Sequence, residues 1–290
     1  MTVEKTSPCK VNLLLNILGR RADGFHELET VMHPVNVWDH LRFARQGQGV
    51  QLSCNESALP TDSSNLVHRA ATVFLQTARI NEGVHIHLEK KIPLAAGLGG
   101  GSGNAATTLL GLNELFGQPL SQIQLAELGT TLGSDVPFFL QSKPALATGR
   151  GEKIQPRDFF PALRGTFLLL VHPGFGISTA WAYQQLPRFP AALNGRPGRA
   201  AELISLLQMT NLATAGAAFY NSLEAPALHK YPLLALFQEF LHAHGASATL
   251  MSGSGSTTFA LLEGETAANE LADKFRQKFG TTCWTAVVPL

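Results

Sequence analysis

The feature that most constrains this sequence is a glycine-rich segment at Gly97–Gly103, in which five of the seven residues are glycine. The alternating apolar and polar residues of Val84–Glu89 precede it and predict a half-buried strand. An Ala- and Leu-rich stretch from Asn104 to about Phe116 follows and predicts a helix. Glycines let the backbone approach an anion closely, and a helix start adds unpaired N–H groups and the positive end of a dipole. This order of elements indicates a phosphate-binding loop.

Several classes of phosphate site do not fit this loop. No Gly-Lys pair occurs in the chain, so the Walker A pattern is absent. Ser102 stands where a Rossmann fingerprint beginning at Gly97 needs its last glycine. The His-Arg-Asp and Asp-Phe-Gly motifs of protein kinases are missing. Glycine content alone also fits a flexible loop or close packing of a helix on a strand, and that alternative stays open here.

The elements around the loop predict an α+β fold. Ser7–Ile17 and His26–Val37 are expected to be extended and joined by a turn, and a helix is expected after Ser64. Ser121 and Gln124 have the spacing of a capping box at the start of another helix. Six further elements are expected in the second half: Thr166–Val171, Ala246–Met251, Phe259–Leu262 and Cys283–Val288 as strands, and Tyr231–His242 and Thr266–Phe279 as helices. Arg188–Pro197 is expected to be an exposed loop.

Composition narrows the class of protein. The chain of 290 residues is 45% hydrophobic, which is typical of a folded chain with one large or two ordinary domains. A net charge of +1 gives no field for nucleic acid or a membrane surface, so neither is expected as a partner. The three cysteines form no CxxC pair, and no secretory signal or long apolar span is visible. A soluble, cytoplasmic protein is expected, with no obligate protein partner.

Two further motifs carry polar residues in positions suited to chemistry. In Ser7–Asn12, a strand would place Lys10 and Asn12 on the same face. Taken alone, Lys10 could equally be a charged guard on an edge strand. In Gly133–Pro137, Asp135 follows the end of a helix, and alone it could be an ordinary turn residue.

Taken together, these motifs resemble the GHMP kinases, a superfamily that includes galactokinase and the homoserine, mevalonate and phosphomevalonate kinases. The segment Pro93–Gly99 is similar to their phosphate loop. The Ser-Pro-Cys-Lys-Val-Asn-Leu opening, the segment Arg21–Glu27 and Gly133–Pro137 resemble the branch of the superfamily that phosphorylates 4-diphosphocytidyl-2-C-methyl-D-erythritol. The motifs occur in the family's order, and the resemblance extends to a glycine-rich turn at Ser252–Ser256.

The resemblance implies a fold, a division into domains and a reaction. The implied fold is the two-domain α+β GHMP kinase fold, with an N-terminal domain like domain 2 of ribosomal protein S5 and a ferredoxin-like C-terminal domain. The domains are expected at residues 1–155, with the loop and the catalytic pair, and 156–290. The implied reaction transfers the γ-phosphate of ATP to the 2-hydroxyl of the cytidyl alcohol. That step belongs to the non-mevalonate route to isopentenyl diphosphate.

The resemblance also implies roles for particular residues. Asp135 corresponds to the general base and Lys10 to its electrostatic partner. Asn12 and His26 correspond to substrate-binding residues, and Phe25 and Tyr183 to the aromatic pair that holds the cytosine. The implied nucleotide-binding residues are Pro93, Leu94, Ala95, Ala96, Gly97, Leu98, Gly99, Gly100, Gly101, Ser102 and Gly103. Mg²⁺ is expected to enter with ATP, and no residue is identified as its ligand.

The sequence departs from the family pattern at three of these positions. Phe25 stands where Tyr is more usual, which keeps a stacking face but loses a phenol hydroxyl. Cys9 replaces a common Ala beside Lys10, and we expect it to be tolerated. Gly103 stands where a second Ser is common, so a side-chain hydroxyl near the phosphates would come from Ser102 alone.

Three other functions account for part of the same pattern: a different kinase of the superfamily, a nucleotide sensor and a structural protein. A mevalonate-type or homoserine-type kinase would share the loop but would not need Phe25 and His26. A nucleotide sensor without turnover would not need Lys10 and Asp135, and a purely structural protein gives no reason for the loop.

His85 and His87 share a strand face, yet no third metal ligand is near in sequence. Lys90 and Lys91, just before the loop, fit either attraction of ATP or a solvated strand end.

Overall fold

The computed structural model describes residues 2–290, which form eleven strands and ten α-helices, with short 3-10 turns between them. The strands are β1 Thr2–Arg20, β2 His26–Arg45, β3 Val50–Cys54, β4 Val84–Glu89, β5 Ala145–Gly149, β6 Lys153–Pro156, β7 Thr166–His172, β8 Tyr220–Asn221, β9 Ala248–Met251, β10 Thr258–Glu263 and β11 Trp284–Pro289. The helices are α1 Leu66–Thr77, α2 Gly100–Leu115, α3 Gln122–Leu132, α4 Thr179–Gln185, α5 Pro190–Leu193, α6 Arg199–Met209, α7 Leu212–Gly216, α8 Glu224–Lys230, α9 Pro232–Ala243 and α10 Glu265–Phe279.

The chain forms two compact units, each assembled from separated stretches of sequence. Unit 1 consists of Met1–Cys9, Val37–Ile92 and Gly99–Ser142. Unit 2 consists of Lys10–Asn36, Pro93–Leu98 and Lys143–Leu290. The strands β1 and β2 and the glycine loop therefore contribute residues to both units. The division at residue 155 expected from the sequence stays a prediction.

Unit 1 contains three packed helices and part of a seven-stranded sheet. In it, β2 pairs antiparallel with β4, from His40 opposite Glu89 to Arg45 opposite Val84, and β3 runs parallel to β4. The helices α1, α2 and α3 pack on one another. Most of α2 is buried, including the polar residues Asn104, Thr107 and Thr108, so its sequence shows no single apolar stripe. A Cβ at Gly111 of this helix would lie 2.4 Å from the ring of Phe43, so close packing on the strand requires glycine there.

Helix boundaries in unit 1 follow the capping chemistry. The capping box of Ser121 and Gln124 is present at the start of α3, as predicted. Helix α1 begins after Asn65, whose side chain accepts from the Val67 N–H. Helix α2 begins at Gly100, four residues before the start expected at Asn104. The prediction was wrong there because Gly99, with φ of 70°, caps a first helical turn made of the glycines themselves.

Unit 2 contains the other part of the seven-stranded sheet and a second sheet of four strands. In the first, β1 lies between β2 and the short β8, β2 also pairs with β5, and β5 pairs with β6. The second has the order β11-β7-β10-β9 and is antiparallel throughout. Helices α9 and α10 pack on it. Their rings meet in an aromatic cluster of Phe237, Phe240, Phe275 and Phe279.

The segment Arg188–Pro197 is not the open loop that its composition predicted. It contains the short helix α5, and Ala192 of that helix is buried in the core of unit 2. The Gly195 N–H also donates to the Ile17 carbonyl at 2.7 Å. The prediction failed because Pro, Asn and Gly here form short turns that pack on β1. Across residues 2–290, no helix combines the length and the apolar character needed to cross a bilayer.

Candidate functional site

Lys10 is a buried cation on β1, and Asn12 and Gly97 are among the acceptors of its ammonium. Lys10 is 3% exposed. It therefore does not act as a charged guard on an edge strand, because such a guard must face solvent. The Nζ atom donates to Oδ1 of Asn12, its neighbour on the same strand face, and to the carbonyl of Gly97 at 3.1 Å. The Lys10 backbone N–H donates to the Leu98 carbonyl at 2.9 Å. The backbone and the side chain of Lys10 therefore both hold the first half of the glycine loop.

A chain of hydrogen bonds fixes the orientation of Asn12. Its Nδ2 donates to Oγ1 of Thr30 at 2.8 Å, and that hydroxyl donates to the Leu14 carbonyl at 2.5 Å. Because the Thr30 oxygen accepts from the amide nitrogen, the amide oxygen of Asn12 must face Lys10. Asn12 and Thr30 are both buried, so water does not compete for these hydrogen bonds.

The turn Ser252–Ser256 braces the same half of the loop. Ser252 Oγ donates to the Gly97 carbonyl at 3.0 Å, and the Thr257 N–H donates to the Ala96 carbonyl at 3.1 Å. A Cβ at Gly97, where φ is 76°, would lie 2.1 Å from the carbonyl oxygen of Ser252. Asn221 holds the turn in place because its Nδ2 donates to the carbonyls of Met251 and Gly253. Two glycine-rich segments thus pack backbone against backbone.

The second half of the loop forms the N-terminus of α2 in unit 1. The Gly103 N–H closes the first turn on the Gly99 carbonyl at 2.9 Å. The N–H groups of Gly100, Gly101 and Ser102 have no helical carbonyl before them, which leaves them available to an anion. A Cβ at Gly103 would lie 2.7 Å from the Pro8 carbonyl, so this close approach requires glycine at that position.

Asp135 lies in unit 1 between α3 and the 3-10 turn Pro137–Leu140. Its neighbour Val136 is buried, and the Val136 N–H donates to the Gly133 carbonyl at 3.2 Å. The buried Phe138 and Phe139 follow, with their rings 5.1 Å apart. These anchors hold the backbone on both sides of a partly buried carboxylate.

The imidazole of His26 and the phenol ring of Tyr183 lie together in unit 2. Their ring centroids are 5.0 Å apart and the planes are tilted by 38°. Burial and the charge of Arg20 lower the pKa of His26 below its ordinary value. The imidazole is therefore neutral at pH 7, so it has one nitrogen donor and one nitrogen acceptor to offer a base edge.

Phe25 is 53% exposed, and the guanidinium of Arg150 lies 4.7 Å from its ring centroid. No sequence pattern pointed to Arg150, although it lies between Gly149 and Gly151, which both have positive φ. The pairing of Phe25 with Tyr183 around a base stays a prediction.

For Lys90, and for the pair His85 and His87, the structure bears on the alternatives that the sequence left open. The side chain of Lys90 is 6% exposed and pairs with Asp39, so a solvated strand end is the wrong interpretation for this residue. His85 and His87 both hydrogen-bond to the hydroxyl of Ser53. Within the part of the chain that the structure describes, no three His, Cys, Asp or Glu side chains form a cluster that could hold a metal ion.

Comparison with known families matches both halves of the chain. The GHMP kinases N terminal domain matches residues 65–143, and the GHMP kinases C terminal domain matches residues 189–281. The protein named 4-diphosphocytidyl-2-C-methyl-D-erythritol kinase in Syntrophotalea carbinolica is 38% identical over 279 residues, which cover 94% of each chain. The protein of the same name in Syntrophus aciditrophicus is 41% identical over 266 residues, or 91% of each chain.

Solved structures show the same relationship. A crystal structure of 4-(cytidine 5'-diphospho)-2C-methyl-D-erythritol kinase superposes with a TM-score of 0.79 at 34% identity, covering 99% of each chain. Homoserine kinase from Cytophaga hutchinsonii superposes with a TM-score of 0.79 at 20% identity, covering all of this chain and 95% of that one. The second likeness shows the fold alone.

Proposed function

This chain belongs to the 4-diphosphocytidyl-2-C-methyl-D-erythritol kinase family of the GHMP kinases and is an ATP-dependent kinase, and from that premise we propose that it phosphorylates the 2-hydroxyl of 4-diphosphocytidyl-2-C-methyl-D-erythritol. The reaction would give the 2-phosphate and ADP in the non-mevalonate route to isopentenyl diphosphate. The observation that carries the proposal is the buried ammonium of Lys10, held between Asn12 and the carbonyl of Gly97. A desolvated cation fixed to a glycine loop suits a transfer of phosphate from nucleotide to alcohol.

Asp135 is the proposed general base and Lys10 its electrostatic partner. The 2-hydroxyl is a tertiary alcohol and a weak nucleophile, so a carboxylate that accepts its proton assists attack on phosphorus. An ammonium stabilises the oxygen or the phosphoryl group as negative charge develops. Because Asn12 and Gly97 already fix the ammonium of Lys10, little reorganisation is needed at that step.

The phosphates of ATP are the proposed ligands of Pro93–Gly103. The backbone N–H groups at the start of α2 can donate to phosphate oxygens, and Ser102 adds a hydroxyl. Mg²⁺ is proposed to enter with ATP and to neutralise charge on the phosphate oxygens. Ser102, whose hydroxyl lies in the first turn of α2, is a candidate protein ligand for that ion.

The cytosine is proposed to bind beside His26 and Tyr183, with Phe25 as a second stacking ring. A neutral His26 can read the base edge while a ring offers a flat apolar face. A homoserine-type or mevalonate-type kinase would use the same fold but has no base to recognise. The rings therefore distinguish the proposed substrate from those alternatives.

Replacing Tyr183 with Ala is expected to raise KM for the cytidyl alcohol by about 5- to 150-fold, because stacking contributes roughly 1–3 kcal/mol per base. KM for ATP should stay within about twofold, since the phosphate loop is unchanged. Steady-state kinetics with each substrate varied in turn measure both constants. Trp181→Ala is the matched control, because Trp181 lies on the same helix α4 but contacts Lys230 and Tyr231.

Base recognition is tested further by a substrate analogue without cytidine. The wild-type protein should bind 2-C-methylerythritol 4-phosphate more weakly than the cytidyl alcohol. In Tyr183→Ala, the difference in affinity between the two compounds should be smaller. Equal binding of the two compounds by the wild-type protein would contradict the proposed base site. An equal rise in KM in the Trp181→Ala variant would show that the effect is not specific to Tyr183.

A further inference from the structure

A buried polar cluster in unit 1 joins the two ends of the glycine loop. We call it the loop clamp, and it consists of Asp39 on β2, Lys90 just after β4, Asn104 in α2 and the backbone N–H groups of Lys91 and Ile92. None of these groups belongs to the proposed catalytic pair or to the base site. Asp39 is 0% exposed, so its carboxylate depends entirely on these partners.

Asp39 divides its two oxygens between partners of different kinds. Oδ1 accepts from the backbone N–H of Lys91 at 2.7 Å and from that of Ile92 at 2.9 Å. Oδ2 accepts from Nδ2 of Asn104 at 2.8 Å and from the ammonium of Lys90. One carboxylate therefore fixes the backbone immediately before the loop and a helix side chain immediately after it.

The clamp also reaches the helix start that would face the phosphates. A Cβ at Gly100 would lie 3.3 Å from Nζ of Lys90, so the ammonium packs against the first residue of α2. Lys90 also donates to Oδ1 of Asn104 at 3.1 Å, and Asn104 Nδ2 donates to the hydroxyl of Ser7 at 3.0 Å. The charge of Lys90 is thus neutralised within the cluster.

We propose that Asp39 is a positioning residue for the nucleotide, which sets the spacing of the loop ends so that the N–H groups of α2 face the phosphates. Lys90 is its internal partner and makes no direct contact with ATP through its ammonium. The inference rests on the proposed function only in taking ATP as the ligand of the loop. Asp39 touches no reacting atom, so its loss should act on nucleotide affinity before it acts on the alcohol.

The first test is Asp39→Asn, with affinity measured by equilibrium titration with fluorescently labelled ATP in the absence of alcohol. The new amide nitrogen would meet Nζ of Lys90 and Nδ2 of Asn104, which are both donors. The dissociation constant should rise by about tenfold or more, because buried donors lose their acceptor. KM for the cytidyl alcohol should stay within about twofold of wild type, which a general loss of structure would not give.

Phe43→Leu is the matched control for stability. Phe43 is buried on the same strand β2 and in the same unit, so the variant should lower the melting temperature without weakening ATP binding. Wild-type affinity in Asp39→Asn, or an equal loss of affinity in Phe43→Leu, would overturn the positioning role.

The double variant Asp39→Asn with Lys90→Met keeps the inference testable if the single variant folds poorly. Without the ammonium of Lys90, the side-chain amide of Asn104 can rotate so that its oxygen accepts from the amide nitrogen of the Asn at position 39. The hydrogen bond between positions 39 and 104 of the loop clamp would then form again. ATP affinity should return to within about threefold of wild type. A double variant that binds ATP more weakly than Asp39→Asn would show that Lys90 serves the nucleotide directly and would overturn the inference. A wild-type protein that bound no ATP would instead contradict the proposed function.

Discussion

Replacing Asp135 with Asn is expected to lower kcat by about 100-fold or more, which is the usual contribution of a general base. Asn has nearly the same shape as Asp, so the anchors around it, Val136 and Phe138, should remain packed. The amide cannot accept the proton of the 2-hydroxyl as the bond to phosphorus forms. KM for ATP should change little, because the carboxylate is proposed to act on the alcohol. Steady-state ADP release and the melting temperature measure both parts of this expectation.

Asp158→Asn is the matched control for the loss of a negative charge. Asp158 is an exposed carboxylate that pairs with Lys143 in unit 2, and its removal should leave kcat within about twofold of wild type. If Asp135→Asn turned over at nearly the wild-type rate, Asp135 would not be the base.

Replacing Lys10 with Met is expected to lower kcat by about 100-fold, the scale on which one stabilising donor acts in a desolvated site. Met keeps the length and the apolar stem of Lys but removes the charge. The Gly97 carbonyl would retain the hydroxyl of Ser252, and Asn12 would retain Thr30, so the loop should stay folded. Rate measurements at saturating ATP and alcohol separate this effect from weaker binding.

Lys5→Met tests whether the loss of any lysine on β1 has the same effect. Lys5 lies on the same strand but is partly exposed and pairs with Glu114 on α2. Surface ion pairs of this kind contribute little, so activity should be unchanged. Turnover by Lys10→Met within about threefold of wild type would remove Lys10 from the electrostatic role.

Local sequence patterns predicted most of the elements but not all of their ends. Period-two alternation identified β4, and the Ser121 and Gln124 pair identified the start of α3, because both signals depend on neighbouring residues only. The start of α2 was missed because glycine is generally unfavourable within helices. Here Gly99 occupies the N-cap position, so Gly100 to Gly103 belong to the first turn. Glycine is needed at position 103 because a Cβ there would meet the Pro8 carbonyl.

The contacts that organise the loop could not be predicted from local patterns. Asp39 lies far along the chain from Lys90 and Asn104, and no motif marks it. The same is true of Asn221, which holds the Ser252–Ser256 turn through two backbone carbonyls. Lys10 and Asn12 were predicted to share a face because strand geometry requires it. The hydrogen bond from Lys10 to the Gly97 carbonyl depends on packing between distant segments of the chain.

The most direct test of the proposed reaction is phosphorus NMR of the products formed from ATP, Mg²⁺ and 4-diphosphocytidyl-2-C-methyl-D-erythritol. We predict ADP together with a new phosphomonoester whose signal is not split by a proton, because the carbon that bears the 2-hydroxyl carries no hydrogen. The signal should be absent when mevalonate, phosphomevalonate or homoserine replaces the cytidyl alcohol. A split phosphomonoester signal, or turnover with one of those alcohols and none with the cytidyl substrate, would contradict the proposed function.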